Sequence, residues 1–303
     1  MAPLPQQIRF SIVTPTRNAE RYLSQTISSV ISQQGDFEIE YLVVDGQSTD
    51  RTLEIAKAFL ARLERLNVDG QVGRVSMKII SQRDNSMYEA INRGFAAATG
   101  NVYAWLNADD LYLPGALQQV ARIFAALPHL HWLKGVTSYI DDQGEPVAPG
   151  KCYLYAQNLI RQGLYGREAF FIQQDSLFWR ARLWQACGGL DVSFHLAGDY
   201  ELWTRFARHE PLYSVNLPVS CFRRVEGQLS ENLGKYRTEQ KRVARSSGPK
   251  MLMLRLFFRF LEPRLPDVLK FPVFRLLCPC APLYLVKSDA EPVKVSSSFG
   301  YMA

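Results

Sequence analysis

The chain reads as an α/β protein built on a mostly parallel sheet, and three observations carry that reading. Apolar, β-branched runs alternate with helix-periodic stretches through the first half of the chain. Acidic side chains fall repeatedly just after the candidate strands. Apolar content of 47% with 21% charged residues over 303 residues gives the balance of a chain with a large core.

The elements follow in order. IRFSIVTPT (8–16) is a β-branched strand running into a loop at Pro15. AERYLSQTISSVISQQ (19–34) spaces Tyr22, Leu23, Ile27, Val30 and Ile31 as one helical face. FEIEYLVVDG (37–46) is a second strand, TDRTLEIAKAFLARLERL (49–66) a second helix and VSMKIIS (75–81) a third strand. SMYEAINRGFAAATG (86–100) is a third helix, expected to open on a Ser86/Glu89 capping box and stop at Gly100. NVYAWLN (101–107) is a fourth strand, and Pro114 is where a further helix is expected to begin, continuing through GALQQVARIFAAL (115–127). Strands alternating with helices imply right-handed crossovers and a ligand edge at the strands' carboxyl ends. Asp45, Arg83 with Asp84, and Asp109 with Asp110 all fall on that edge.

The second half is less regular. Residues 131–147 suggest a hairpin around Asp142-Gln143-Gly144, 175–191 a strand, a short helix and a Gly188-Gly189 turn, 198–209 a helix and 211–224 a returning strand. The aromatic stretch 150–172 carries no assignable pattern.

The net charge of +6 is uneven: seven Lys/Arg stand against Glu262 and Asp267 between 250 and 287. No helix-turn-helix, zinc-finger or RNP-like pattern accompanies this charge, so nucleic acid is not the expected partner. Five scattered cysteines without a CxxC pair argue against a disulfide framework or a zinc ribbon. With no cationic-then-apolar leader, a cytoplasmic protein is the expectation.

The adjacent aspartates of AWLNADDLYLPGAL (104–117) pose a physical problem. Like charges about 4 Å apart repel by roughly 4 kcal/mol at an effective dielectric of 20. Either solvent screens them in a turn ahead of a helix, or a cation sits there. Asp45 equally fits a turn before Gly46, and Asp199 in GDYELW equally fits the N-cap of its helix.

Four stretches in order, VTPTRNAERYLSQTISSVISQQ, YLVVDGQSTDRTLEIA, RDNSMYEAINRGFAAATGNVYAWLNADD and GGLDVSFHLAGDYELWTRF, resemble the family 2 glycosyltransferases across most of residues 8–210. The resemblance implies the GT-A fold, a Rossmann-like, mostly parallel sheet flanked by helices, and the chain beyond the resemblance reads as a C-terminal helical, basic and apolar extension. The resemblance implies a catalytic domain over 1–225, with a nucleotide-sugar half about 1–112 and an acceptor half about 113–225, then an extension over 226–303. It further implies inverting transfer of a sugar from a UDP- or dTDP-sugar donor to a glycan or lipid-linked acceptor, with Mn²⁺ or Mg²⁺, in envelope polysaccharide synthesis. No processive-synthase Q-x-x-R-W motif is present, so single addition is expected.

By the same resemblance, Asp110 is the metal ligand, Asp109 reaches ribose or metal, and Asp45 reads the base. Thr14, Pro15 and Asn18 form the loop under the nucleotide, where Arg17 stands at a position often aromatic. Asp84, Arg83 and Asn92 contact the donor, and Asp199 is the general base. Aspartates facing phosphates make sense only with a divalent cation between them. Arg223 and Arg224 fit either a diphosphate contact or a basic surface pair, and His195 reads as structural or exposed. A nucleotidyltransferase would also place aspartates on such a sheet, but TPTRNAERY lacks a Gly/Lys-rich phosphate loop. A catalytically dead scaffold of the same fold is the non-enzymatic alternative.

In the tail, KMLMLRLFFRFLEPRLPDVLKFPVFRLLCPCAPLYLV (250–286) has no apolar run long enough to span a bilayer. Arg255, Arg259 and Glu262 share one helical face and apolar side chains cover the rest. That pattern fits lying on a membrane surface, or docking on the catalytic domain or a partner. Residues 288–303 read as a loose terminus.

Overall fold

Period-two alternation sets up two cores, one on each face of the sheet. In β1 (Arg9–Thr16) Phe10 and Ile12 enter one core and Val13 the other. In β2 (Glu38–Asp45) Ile39, Tyr41 and Val43 take the first, Leu42 and Val44 the second. Burial on both faces is what a parallel sheet requires, and it explains why these strands read as nearly continuous apolar runs. The structure is a computed structural model that describes residues 7–68, 74–166, 169–228, 232–243, 249–277, 284–286 and 292–294.

The other strands are β3 (Val75–Ser81), β4 (Val102–Trp105), β5 (Leu111–Tyr112), β6 (Trp132–Ile140), β7 (Pro146–Ala148), β8 (Leu177–Arg180), β9 (Tyr213–Arg223), β10 (Tyr284–Val286) and β11 (Pro292–Lys294). Their order is β11-β10-β9-β6-β8-β4-β1-β2-β3, with β5 paired to β9 and β7 to β6. β1 runs parallel to β2 and β4, and β2 parallel to β3. β8 runs antiparallel to β4 and β6, so the second half of the sheet is mixed. The register aligns Thr16 with Asp45 and Asp45 with Ser81, which brings three strand ends to one line.

The helices are α1 (Leu23–Ile31), α2 (Thr52–Val68), α3 (Met87–Ala96), α4 (Ala116–Ala126), α5 (Gln157–Arg161), α6 (Ala181–Cys187), α7 (Gly198–His209), α8 (Leu233–Val243), α9 (Pro249–Leu256) and α10 (Asp267–Leu277). α1, α2 and α4 cover one face of the sheet through Ile27, Leu63 and Phe124; α3 and α7 cover the other through Phe95, Trp203 and Phe206. Leu254, Phe257, Phe258 and Phe274 of the basic C-terminal segment join this second core, so that segment packs against the rest of the fold along one side. Among the described residues no helix is long and apolar enough to cross a membrane.

Several local expectations need correction. The Ser86 side chain accepts from Glu89 N (3.2 Å), but the Glu89 carboxylate accepts from Asn85 N (3.0 Å), one residue beyond a reciprocal capping box. α3 is capped at Ala97, not Gly100. Gly100 serves a close approach instead, since a Cβ there would lie 2.5 Å from the Arg9 carbonyl oxygen. α4 starts at Ala116 behind Gly115, two residues after Pro114. Residues 292–294 form β11 against β10, where a loose terminus was expected; 288–291 and 295–303 lie outside the described residues.

Candidate active site

At the ends of β1 to β3 the chain builds a polar shelf. The buried Asp45 carboxylate accepts from Ser48 N (3.2 Å), Ser48 Oγ and Ser81 Oγ (2.7 Å), which realises the turn and also locks the carboxylate in place. Asp84 lies directly behind Gly46, where a Cβ would stand 2.6 Å from Asp84 Oδ2, so any larger residue there would push the Asp84 carboxylate aside. Burial pushes the Asp84 carboxyl above its usual range, while Arg17 and Arg93 act in the opposite sense. Asn18, held at φ 51°, accepts from Thr49 N at its side-chain oxygen (2.9 Å) and donates its own backbone N–H to Ser48 Oγ (2.9 Å). The loops after β1 and β2 are therefore tied together beside the Asp45–Asp84 pair.

Not every expected residue faces this shelf. Thr14 is an interior β1 residue, fully buried, whose hydroxyl accepts from Tyr41 OH (3.1 Å); Pro15 is buried beside it. The Asn92 amide is engaged on the Leu190 backbone, donating to its carbonyl (2.8 Å) and accepting from its N–H (2.8 Å). Asn92 is thus a clamp between α3 and the Gly188-Gly189 turn. Arg83 is exposed, and its carbonyl receives Arg93 Nη2 (3.3 Å).

After β4 the acidic turn meets β9. Asp110 is at 0% exposure: Oδ1 accepts from Arg223 N (3.0 Å), and Oδ2 is buried without a hydrogen-bond partner. Asp109 is only partly buried and accepts from Gln228 Nε2 (3.2 Å). Asp175, in the 3₁₀ turn before β8, completes a buried acidic group with them and accepts from Ser220 Oγ. Burial raises all three carboxyls, and mutual repulsion adds to it for Asp110, which is raised furthest. Lys134 beneath them is pushed down to about 8, chiefly by its own burial. Three carboxyls here stand against the two buried cations Lys134 and Arg223, and an unsatisfied buried carboxylate oxygen costs about 1–3 kcal/mol or more. Both facts fit a divalent cation. Among the described residues no three His, Cys, Asp or Glu side chains are arranged to hold a metal alone. A cation here would take ligands from bound phosphates as well as protein, as Mg²⁺ commonly does.

Of the two readings the sequence left for Arg223, a diphosphate contact or a surface cation, burial removes the second. Arg223 is fully buried, donates to the carbonyls of Asp109 (2.9 Å) and Asp141 (3.0 Å) and to Gln25 Oε1 (2.6 Å), and lies over the Tyr22 ring. It holds the acidic turn against the β6–β7 hairpin. Arg224 is exposed and stacks on Tyr139.

Asp199 occupies the first turn of α7, not its N-cap; Ala197 takes that place. The cap acceptor comes from α8: Glu239 receives the N–H groups of His195 (2.9 Å), Leu196 (2.9 Å) and Ala197 (2.8 Å). His195 itself is exposed. Asp199 lines a narrow crevice of about 10 Å³ with Tyr236, Tyr200, Tyr165 and Phe171. Its Oδ1 accepts from Tyr200 N (2.7 Å), and the Tyr236 hydroxyl hydrogen-bonds to it. Burial pushes its carboxyl up to about 6 against the pull of those hydrogen bonds. Tyr88 joins this crevice to the acidic turn. Its hydroxyl accepts from Gly198 N (2.9 Å), and its ring meets the edge of Trp105, whose indole donates to Asn107 Oδ1 (2.8 Å) two residues before Asp109.

Sequence reasoning missed Asp175, Gln228, Tyr236 and Glu239. None carries a local motif; each matters through a contact with a distant segment.

The profile of Glycosyl transferase family 2 matches residues 11–181. An O-antigen biosynthesis protein, RfbC, of Myxococcus xanthus is 30% identical over 70% of this chain and 16% of its own length. A PGL/p-HBAD biosynthesis glycosyltransferase of Mycobacterium tuberculosis is 40% identical over 37% of this chain and 40% of its own, and an uncharacterized glycosyltransferase of Nostoc sp. is 33% identical over 44% and 40%. The matches thus span two fifths or less of these curated relatives. Among solved structures, S. aureus TarS 1–349 in complex with UDP-GlcNAc superposes with a TM-score of 0.57 at 14% identity, covering 89% of this chain and 79% of that one. The mannosyltransferase PcManGT of Pyrobaculum calidifontis, in complex with GDP-Man and Mn²⁺, gives 0.55 at 17% identity, covering 92% and 76%. With the profile matching more than half of the chain and the GT-A architecture present throughout, the chain belongs to glycosyl transferase family 2.

Proposed function

We propose that this glycosyltransferase moves a sugar from a nucleotide-sugar to a hydroxyl of a glycan or lipid-linked acceptor, one addition at a time and with inversion, in envelope polysaccharide or glycolipid synthesis. The observation that carries this reading is the acidic turn after β4, with Asp110 Oδ2 buried and unpartnered beside the partly exposed Asp109. A UDP- or dTDP-sugar is the donor class we favour, with Asp45, its carboxylate fixed by Ser48 and Ser81, taken as the acceptor of a pyrimidine N–H. The names of the relatives, O-antigen and PGL/p-HBAD biosynthesis, support the acceptor class.

Of the two aspartates expected at the metal, Asp109 is the less buried. Asp109 is the carboxylate that a cation arriving with the donor meets first, and Asp110 stands behind it. Mn²⁺ or Mg²⁺ there would stabilise charge on the departing diphosphate. The acceptor oxygen attacks the anomeric carbon as the sugar–phosphate C–O bond breaks, and Asp199 takes the hydroxyl proton. A carboxyl that titrates near 6 is a stronger base than an ordinary aspartate and is still mostly ionised at neutral pH.

The test is a thermal-shift screen of nucleotide-sugars with Mn²⁺ or Mg²⁺, followed by transfer assays with the responding donor. Asp199→Asn is expected to lower transfer by about 10²–10⁴-fold while the donor still raises the melting temperature. Absence of any nucleotide-sugar response with either ion would overturn the reading, as would undiminished transfer by Asp199→Asn.

A further inference from the structure

The basic extension has a second apolar side that the fold leaves in solvent. Of the twelve large apolar side chains exposed among the described residues, eight lie between 249 and 277, a concentration beyond the ordinary scatter of a protein surface. On α9 and the π-helical turn that follows it (Phe257–Leu261), Leu254, Phe257 and Phe258 point into the core. Leu252, Met253, Leu256 and Phe260, spaced i, i+1, i+4 and i+8, point out. α10 repeats the arrangement: Phe274 packs inward against Phe258 (5.9 Å), and Val268, Leu269 and Leu276 stand at the same offsets outward. Val268 and Leu276 are 77% and 80% exposed, values that exclude any covering by the described residues.

Charge decides what fits this face. Residues 249–277 hold six Lys/Arg against two acids, and one of the six, Lys270, is paired with Glu262 (3.3 Å). Arg259 and Arg264 are exposed beside the outward Phe260: Arg259 lies over its ring, and Arg264 Nη1 donates to its carbonyl (2.6 Å). A second copy of the chain would bring like charge against like charge around the apolar strip. An anionic bilayer would take the apolar side chains below its headgroups and the guanidinium groups at them. Neither helix is long enough to cross. We propose that the outward faces of α9 and α10 seat the enzyme flat on an anionic lipid bilayer, with Leu256, Phe260, Val268 and Leu276 inserted and Arg259 and Arg264 at the headgroups.

Flotation of the full chain tests this, using vesicles of phosphatidylcholine alone and vesicles in which about one third is phosphatidylglycerol. The wild type is expected to float with the anionic vesicles, less so as salt rises, and not with the neutral ones. The triple change Leu256→Gln, Phe260→Gln, Leu276→Gln, and separately the pair Arg259→Glu, Arg264→Glu, should each weaken binding at least about tenfold without altering the melting temperature. The two arginines are on the exposed surface, so they keep the test valid if the apolar set folds poorly. Failure of the wild type to float, or unchanged binding by both variants, would overturn the proposal. So would salt-resistant self-association in sedimentation velocity that both variants abolish, which would assign the face to a second copy. Vesicle binding requires no donor or acceptor, so its failure leaves the transfer reading standing, and the reverse also holds.

Discussion

Asp199 shows how one side chain's chemistry is set by what surrounds it. Its carboxyl sits near 6 because burial outweighs the hydrogen bonds from Tyr200 N and Tyr236. If Asp199 must be ionised to accept a proton, kcat/KM should rise with pH through about 6 and level off above it. The Tyr236 hydroxyl favours the charged form, so Tyr236→Phe should move that acidic limb to higher pH. A purely structural tyrosine would change the plateau and leave the limb in place. Only the position of Asp199 was readable from GDYELW. Tyr236 belongs to a helix beyond any motif, and nothing in its neighbourhood marks it.

At the scale of elements, α7 is completed by α8. The free N–H groups ahead of an α-helix need an acceptor, and the residues before Gly198 supply no side-chain cap. Glu239 provides one carboxylate for three N–H groups, and its negative charge also suits the positive end of the helix. Those hydrogen bonds hold its carboxyl below the usual range in spite of partial burial. Glu239→Ala should cost about 1–2 kcal/mol, read from denaturant midpoints. It should also lower transfer, because the first turn of α7 carries Asp199. The N-cap reading of Asp199 was sound local logic, since an acid at that point does suit a helix start. It failed because a better acceptor arrives from another element.

Across the whole molecule, a single sheet divides two cores, and the core on the α7 side is strongly aromatic. Trp179 makes edge contacts with Trp203 (5.7 Å) and Phe206 (5.8 Å) and stacks near Trp184 (6.1 Å), linking β8, α6 and α7. Trp179→Ala should cost about 3–5 kcal/mol in equilibrium unfolding, a large share of the roughly 5–15 kcal/mol typical of such folds. That core also receives Leu254, Phe257 and Phe274, so the extension is packed into the catalytic fold on one side while presenting its other side outward. Helices apolar on both sides read from sequence as either docking or membrane-lying. Here the inward side docks, and the outward side is the one proposed for lipid.

Local pattern was enough for the parallel strands of the first half, the helices between them and the acidic residues at their ends. Periods of two and of three to four residues record which faces are buried, and turn chemistry records where strands stop. Distant packing decided the rest: the burial of Arg223, the clamp of Asn92 on Leu190, the exposure of Asp109 in front of Asp110, and the approach of Tyr236 and Glu239 to α7. Each depends on segments brought together by the fold, and periodicity says which face of an element is covered without saying by what.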